Sequence, residues 1–281
     1  MDTAVSLHFT KMHGLGNDFI LLDRLQYDEP VPVEQIPLLA DRRTGVGFDQ
    51  VLIIEAASSP AHDFNYRIYN ADGSEAQHCG NGARCVARYL LDQGLSQKSD
   101  ITLGMPNGSS IHCQALEDGQ VSVNMGAPIT SPADIPFIAD TEALTYPLQV
   151  AGEEIEISAI SMGNPHAVIV VDDLDLAPVA ELGPLIEKHE AFPQGVNAGF
   201  MQVMDAENIR LRVYERGAGE TLACGTGACA AVVAGMQRSL LSETVTVALK
   251  GGTLSINWRG GDSPVIMTGP ATTVYQGQID L

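Results

Sequence analysis

Two cysteines in matching settings are the residues of this sequence best suited to chemistry. Cys79 lies in residues 67–83 (RIYNADGSEAQHCGNGA), and Cys224 lies in residues 212–228 (RVYERGAGETLACGTGA). The two segments align without a gap at an offset of 145 residues, and Arg, Tyr, Glu, Cys, Gly and Ala recur at matching places. A repeat of this kind predicts two similar domains related by a pseudo-twofold axis, each bringing one thiol to a shared site.

The residues after each cysteine indicate the start of a helix. A Gly-x-Gly-Ala tetrad is followed by helical runs over 83–93 and 228–238, and Gly94 is expected to end the first run. Free backbone N–H groups and the helix dipole favour an anion at a helix N-terminus, so we expect the pKa of both thiols to be lowered. The same N–H groups suit a substrate carboxylate. Two thiols beside one carboxylate would form an acid and base pair, which we favour over simple packing of the two side chains.

The other three cysteines lack this setting. Cys85 and Cys229 fall inside the predicted helices and Cys113 inside a predicted strand, so all three are expected to pack as small apolar groups. An odd cysteine count argues against a disulfide framework. The cysteine spacings do not fit a structural zinc site, so no metal is expected.

The repeat extends beyond the cysteine motifs into loops that carry amides. Neutral amides and one carboxylate are expected at equivalent loop ends in the two halves, which suits a zwitterionic ligand. The matching pairs are Asn17 and Asn164, Gln50 and Asn197, and Asn70 and Glu215.

Apolar and alternating segments predict a sheet in each half. Strands are expected over 7–12, 19–23, 51–55 and 63–69, and again over 154–162, 167–171, 200–204 and 209–214, with three more after each helix. The proline-containing stretch 126–136 is the best domain boundary. We therefore expect one domain over 1–126, with the strand in 270–281 returning to it, and a second over 127–269.

Composition excludes several classes of function. The chain has 281 residues and a net charge of −20, which argues against binding nucleic acid or an anionic membrane surface. No signal peptide or membrane span is visible, so a soluble cytoplasmic protein is expected. Pyridoxal phosphate would require a lysine at the site, and none of the four lysines lies in either motif. The segment 225–230 (GTGACA) fits a dinucleotide fingerprint only weakly.

Two charged or titratable residues near the motifs have two possible roles each. His166 could cap a turn over 163–166 or tune a nearby thiol, because a histidine neighbour lowers a cysteine pKa. Arg216 could be a solvated surface charge, but its place beside Glu215 favours recognition of a carboxylate.

Taken together, these motifs resemble those of the diaminopimelate epimerase family. The segments that carry the resemblance cover essentially the whole chain: 12–19 (MHGLGNDF), 70–75 (NADGSE), 79–85 (CGNGARC), 161–166 (SMGNPH), 215–227 (ERGAGETLACGTG) and 269–275 (GPATTVY).

The resemblance implies an α+β fold of two pseudo-symmetric domains, each a mixed, largely antiparallel sheet or barrel around a central helix, with the active site in the cleft between them. It implies an isomerase that interconverts LL- and meso-2,6-diaminopimelate without cofactor or metal, for lysine and peptidoglycan synthesis. By resemblance, Cys79 and Cys224 are catalytic, His166 and Glu215 tune the thiols, and a homodimer forms through Tyr275. The implied substrate-binding residues are Asn17, Gln50, Asn70, Gly80, Asn81, Asn164, Asn197, Glu215, Arg216, Gly225 and Thr226.

The mechanism we expect is a two-base proton transfer, in which one thiolate removes the α-proton and the opposite thiol returns a proton to the other face. It requires both sulfur atoms to reach one carbon. Two alternatives remain open at this point: a cofactor-free racemase of the proline type, and a dithiol redox switch without catalysis.

Overall fold

A computed structural model describes residues 6–29, 33–76 and 79–281 of the chain. Gln77 and His78, inside the first cysteine motif, lie outside the described residues. The chain divides into two compact units, one made of Met1–Val123 with Gly269–Leu281 and the other of Asn124–Thr268. Strands dominate each unit, and helices are few.

In the residues that the structure describes, the first unit is a mixed sheet with two helices. Its strands are β1 (Ser6–Gly14), β2 (Asn17–Asp23), β3 (Gln50–Ala56), β4 (Phe64–Asn70), β5 (Glu75–Ala76), β6 (Asp100–Gly104), β7 (Ser110–Ala115) and β8 (Val121–Asn124), and its helices are α1 (Ile36–Ala40), after a 3₁₀ turn at Val33–Gln35, and α2 (Gly80–Asp92). Neighbouring strands pair antiparallel, except that β2 with β3 and β4 with β6 run parallel.

The second unit repeats this arrangement. Its strands are β9 (Tyr146–Val150), β10 (Glu153–Ser161), β11 (Pro165–Val170), β12 (Asn197–Asp205), β13 (Asn208–Glu215), β14 (Gly219–Glu220), β15 (Thr244–Leu249), β16 (Gly252–Asn257) and β17 (Ile266–Gly269), and its helices are α3 (Val179–Glu187) and α4 (Gly225–Gln237), with a 3₁₀ turn at Pro132–Asp134. The parallel pairs, β11 with β12 and β13 with β15, occupy the same places in the order as those of the first unit. The duplication read from the cysteine motifs thus extends to strand order and direction.

In each unit, one further strand pairs with the first strand of the repeated arrangement. In the first unit this is β18 (Thr272–Asp280), which pairs antiparallel with β1, so the chain end returns to the first half as expected. In the second unit it is β9, which pairs with β10 and was not predicted. Pro147 lies inside β9, and a proline inside a short alternating segment conceals an edge strand from sequence reasoning.

A buried helix lies against the sheet in each unit. Helix α2 packs on β1, β2, β3 and β7, and α4 packs on β10, β11, β12, β13 and β16. Contact with strands so far apart in the order means that each sheet curves around its helix. The interior of α4 consists of alanine, valine and glycine, which lets surrounding strands approach closely. The predicted α+β class with a central helix in each half is confirmed.

Several local boundaries differ from those predicted. Both helices begin three residues early, at Gly80 and Gly225. In α2 the Gly82 N–H donates to the Cys79 side chain, and this cap offsets the low helix propensity of the Gly-x-Gly segment. Helix α2 ends as predicted, with the Gly94 N–H donating to Leu91 O.

Several residues that we expected in loops or turns belong to strands. Asn17 opens β2, Asn70 closes β4, Asn197 opens β12, and His166 lies in β11 opposite Ile160. Backbone hydrogen bonds to neighbouring strands determine where these strands begin and end, and the local sequence does not indicate those partners. None of the helices among the described residues is long and apolar enough to cross a membrane.

Candidate active site

Cys79, which we expected at or just before a helix start, is the N-cap residue of α2. Its backbone is extended, with φ −148° and ψ 104°, and the Gly82 N–H donates to Sγ over 3.4 Å. The thiol is half-buried. The sulfur therefore takes the place that a serine or aspartate oxygen usually has at a helix start, where unused N–H groups favour negative charge.

Two asparagines lie beside this thiol. The Cys79 Sγ is 3.9 Å from Asn17 Oδ1, and the same oxygen accepts a hydrogen bond from Asn81 Nδ2 over 3.2 Å. Gly80 and Asn81 are the first two residues of α2, so their N–H groups point out of the helix end. This part of the site thus combines a thiol, a side-chain amide and two outward-facing backbone donors.

The remaining predicted residues of the first unit lie at the same end of the sheet. Gln50 opens β3, Asn70 closes β4, and the two residues are directly paired in the ladder. Gln50 Nε2 donates to Asn70 Oδ1 over 2.9 Å. Since β2 runs parallel to β3, Asn17 at its start shares this end. The structure therefore places Asn17, Gln50 and Asn70 at one end of this sheet, with Cys79 beside Asn17.

Cys224 is the N-cap residue of α4 and is buried, with only 4% of its surface exposed. Its Sγ lies 3.6 Å from Thr226 Oγ1. Burial raises the pKa of this thiol well above its usual value, and the Glu215 charge adds to the rise, whereas the hydroxyl of Thr226 and the N–H of Gly227 oppose it. The predicted lowering of the pKa is therefore wrong for Cys224, because desolvation outweighs the helix terminus.

Glu215 connects β13 to this thiol. It is the last residue of β13, hydrogen-bonds to Cys224, and accepts a hydrogen bond from the Thr221 hydroxyl. Its carboxylate raises the pKa of the Cys224 thiol through both its charge and that hydrogen bond. Glu215 thus influences the thiol as expected of a tuning residue, in the direction that favours the protonated form.

Asn197 and Arg216 lie next to Glu215. Asn197 Oδ1 accepts from the Arg216 N–H over 2.9 Å, and its Nδ2 donates to Pro165 O over 2.9 Å. Both polar ends of this buried amide are therefore used within the protein. The Arg216 guanidinium is exposed and donates to Gln194 O over 2.8 Å. Asn197 holds the backbone from which Arg216 projects.

His166 is fully buried in β11, beside Asn197 on the neighbouring parallel strand. Its Nε2 lies 3.1 Å from Asn164 Oδ1. Burial, with a smaller contribution from the Arg216 charge, lowers the pKa of His166 to about 3. The imidazole is therefore neutral near pH 7 and cannot lower a thiol pKa through a positive charge. The expectation that His166 tunes a thiol in this way is wrong. It can act by holding the Asn164 amide.

Sequence reasoning missed four residues that support the two thiols. They are Asp49, which accepts from Asn17; Tyr66, whose hydroxyl donates to Cys79 O over 3.4 Å; Arg84, which donates to Asn81; and Thr221, which donates to Glu215. Of these four, only Arg84 could have been identified from the sequence, since an arginine on the apolar side of a buried helix needs a polar partner. Thr221 and Tyr66 become apparent only through packing.

In the parts of the chain that the structure describes, no group of three or more His, Cys, Asp or Glu side chains is arranged so that it could hold a metal ion.

Comparison with known proteins identifies the family to which the sequence is similar. A family model described as diaminopimelate epimerase matches residues 9–130 and 158–274. A diaminopimelate epimerase of Chromobacterium violaceum is 57% identical over 277 residues, which cover 99% of this chain and 100% of that protein. One from Pseudomonas entomophila is 56% identical over 275 residues, covering 98% and 99%.

Solved structures share the fold at much lower identity. A hydroxyproline epimerase from Agrobacterium vitis superposes with a TM-score of 0.69 at 18% identity, covering 100% of this chain and 94% of that one. A phenazine biosynthesis protein of the PhzF family from Bacillus anthracis superposes with a TM-score of 0.65 at 17% identity, covering 99% of both chains. The fold is thus shared by several kinds of protein, whereas the sequence matches are specific. The chain belongs to the diaminopimelate epimerase family.

Proposed function

We propose that this chain interconverts LL- and meso-2,6-diaminopimelate, with Cys79 and Cys224 as the two acid/base groups at one stereocentre. Family membership makes the chain an isomerase, and lysine biosynthesis follows from the reaction. The observation that carries the two-cysteine assignment is the duplication, because an equivalent helix in each unit begins at a cysteine N-cap.

The helix ends are suited to holding the reacting carboxylate. The N–H groups of Gly80 and Asn81 in α2, and of Gly225 and Thr226 in α4, are the first donors of their helices. An anion is favoured at such ends, and charge that develops on the carboxylate during proton removal is stabilised by the same donors. The amides Asn17, Gln50, Asn70, Asn164 and Asn197, with Glu215 and Arg216, would bind the rest of the zwitterion.

The proton transfers balance without an external reagent. A thiolate takes the α-proton, so the C–H bond breaks, an S–H bond forms, and the electron pair is delocalised into the carboxylate. The opposite thiol then gives its proton to the other face of the carbon and becomes the thiolate. Cys224 is suited to begin as the thiol, since burial and Glu215 both favour its protonated form.

Solvent isotope incorporation tests the reaction and the two roles together. In D₂O, the wild-type protein should convert either stereoisomer and place deuterium at the inverted carbon of the product. Cys79→Ser and Cys224→Ser should each reduce epimerisation by several orders of magnitude, because a serine hydroxyl is a far weaker acid than a thiol.

Cys229→Ala provides the matched control, since Cys229 is buried in the middle of α4 and is not assigned a chemical role. It should retain epimerase activity if it folds. Near-normal epimerisation by either serine variant would refute the two-base assignment. A panel including free proline and hydroxyproline tests the substrate class, and turnover of these in preference to diaminopimelate would contradict the proposal.

We also propose that the protein works in the cytoplasm as a homodimer that pairs through β18. Val274 and Tyr275 are both about half exposed on this strand, and the Tyr275 ring packs edge-on against Phe9. Light scattering should give twice the chain mass for the wild type and a smaller mass for Tyr275→Arg. An unchanged mass for this variant would exclude β18 as the contact.

A further inference from the structure

A chain of hydrogen bonds in the first unit ends at the Cys79 thiol. Arg84 Nη2 donates to Asn81 Oδ1 over 2.9 Å, Asn81 Nδ2 donates to Asn17 Oδ1 over 3.2 Å, and Asn17 Nδ2 donates to Asp49 Oδ2 over 2.9 Å. Arg84 is fully buried and Asn81 is 5% exposed. The two amides are therefore joined in series between a cation and an anion.

The two ends determine the direction of the whole chain. A guanidinium can only donate hydrogen bonds, and a carboxylate can only accept them. Asn81 must therefore present Oδ1 to Arg84, which leaves its NH₂ group for Asn17. Asn17 must likewise present NH₂ to Asp49, which leaves its oxygen for Asn81 and for Cys79. Turning either amide over would place two donors or two acceptors face to face.

We propose that Arg84 and Asp49 are positioning residues that fix the Asn17 amide, so that its carbonyl oxygen, and not its NH₂ group, faces the Cys79 thiol. Their effect passes through Asn17, whose Oδ1 lies 3.9 Å from Sγ.

Both ends of this chain are anchored independently of the site. Arg84 Nε donates to Pro270 O, and a Cβ atom at Gly14 would lie 3.0 Å from Arg84 Nη2, so the glycine leaves room for the guanidinium. Asp49 accepts from the Asp18 N–H over 3.1 Å and from Arg42 Nη2 over 2.8 Å. The orientation of Asn17 therefore does not depend on the presence of a ligand.

The orientation has a consequence for the ionisation of Cys79. A carbonyl oxygen accepts from the S–H group and favours the thiol, whereas an NH₂ group would donate to the thiolate and favour that form. The Gly82 N–H already donates to the sulfur. Fixing Asn17 with its oxygen towards the sulfur therefore balances the helix terminus and keeps the thiol available as an acid as well as a base.

Among the residues that the structure describes, three buried ionisable groups near the thiol do not ionise in the same pH range. Burial raises the pKa of Tyr66 on β4 well above its usual value, with the charges of Cys79, Cys85 and Cys113 adding to the rise. Burial also raises the pKa of Cys85 on α2, and that of Cys113 on β7, to about 12. Arg84 stays charged throughout. A shift in the ionisation of Cys79 between matched variants therefore reports on the amide.

The inference rests on the proposed function only in giving Cys79 a role, and its test does not need activity. The probe is iodoacetamide, with the alkylation rate of Cys79 measured against pH by peptide mass spectrometry. Either charged end alone holds Asn17 in this orientation, so the decisive variant changes both ends. In Asp49→Asn/Arg84→Gln the new side chains can donate or accept, so Asn17 can turn, and the midpoint for Cys79 should fall by about one pH unit, as expected for one altered hydrogen bond to a charged group. Asp49→Glu/Arg84→Lys keeps one end that only accepts and one that only donates, and it should keep the wild-type midpoint.

The single variants Asp49→Asn and Arg84→Gln each leave one end in place. They should move the midpoint only through the lost charge, downward for Asp49→Asn and upward for Arg84→Gln, and these two effects oppose each other in the double variant. Thermal melts identify any variant that does not fold. If the Arg84 variants are lost, Asn81→Ala/Asp49→Asn, which cuts the link to Arg84 and leaves Arg84 in place, should lower the midpoint further than Asp49→Asn alone. Equal midpoints for Asp49→Asn/Arg84→Gln, Asp49→Glu/Arg84→Lys and wild type would overturn the inference. The proposed function fails separately, if Cys79→Ser remains active.

Discussion

Replacing Gly82 by alanine tests how closely α2 is packed beneath Cys79. Gly82 is in the first turn of the helix, and a Cβ atom there would collide with Tyr66 Oη and lie 2.9 Å from Leu52 Cδ2. Tyr66 and Leu52 are both fully buried. Neither side chain has open space to move into, so the added methyl group must displace the tyrosine, the helix start, or both.

The expected cost follows from these contacts. Adding a methyl group to a filled core costs about 1–3 kcal/mol. Moving Tyr66 also removes its hydrogen bond to Cys79 O, which adds about 1 kcal/mol. We therefore expect Gly82→Ala to lower the free energy of unfolding by about 2–4 kcal/mol. Displacement of the Cys79 N-cap should reduce kcat by about 100-fold, the scale associated with misplacing a reacting group by an ångström.

A double-mutant cycle identifies the contact responsible. Tyr66→Phe removes the oxygen that the added atom would meet, so Gly82→Ala should cost about 1–2 kcal/mol less in the Tyr66→Phe background, measured by urea unfolding followed by circular dichroism. Tyr69→Phe, which changes a buried tyrosine on the same strand, is the matched control and should give no such rescue.

Additive effects of Gly82→Ala and Tyr66→Phe would show that the hydroxyl is not the obstacle. Wild-type stability in Gly82→Ala would refute the packing argument altogether. Lost activity with normal stability would mean that the methyl group disturbs the substrate rather than the core.

Two further predictions concern charge. Glu215→Gln should lower the pH midpoint for alkylation of Cys224, since the Glu215 carboxylate raises the pKa of that thiol. The control Glu220→Gln should leave the midpoint unchanged, because Glu220 is paired with Arg212 and Lys250. An unchanged midpoint in Glu215→Gln would contradict the assignment of Glu215. For Asp18, burial raises the pKa but hydrogen bonds from Arg42 and a neighbouring lysine outweigh it and lower the pKa from 3.8 to about 2. Its stabilising contribution is therefore complete above pH 3.8 and is lost as the pH falls through 2, so the difference in urea midpoint between wild type and Asp18→Asn should be large at neutral pH and vanish near pH 2.

Much of the fold could be read from the chain because local signals and the repeat agreed. The strands around Phe19, Val51 and Ile209 follow from apolar or alternating residues, and Gly94 marks the end of α2. The repeat identifies Cys79 and Cys224 as equivalent from the sequence alone. A one-dimensional pattern is sufficient for these features because each depends on residues close together in the chain.

The ends of the strands were harder to predict from the sequence. Asn17, Asn70 and Asn197 have turn-forming side chains, yet each is the first or last residue of a strand. Their positions depend on ladder partners that are tens of residues away, as in the pairing of Gln50 with Asn70.

The sequence by itself determined the duplicated architecture, the two N-cap cysteines and the family. Only the tertiary structure decided how each thiol ionises and how its neighbours are oriented. The helix terminus, visible in the sequence, favours a thiolate at both cysteines, but burial and Glu215 reverse that preference at Cys224. Desolvation and the direction of hydrogen bonds depend on which side chains surround a group in space, so they emerge only when distant segments such as Asp49, Arg84 and Asn17 come together.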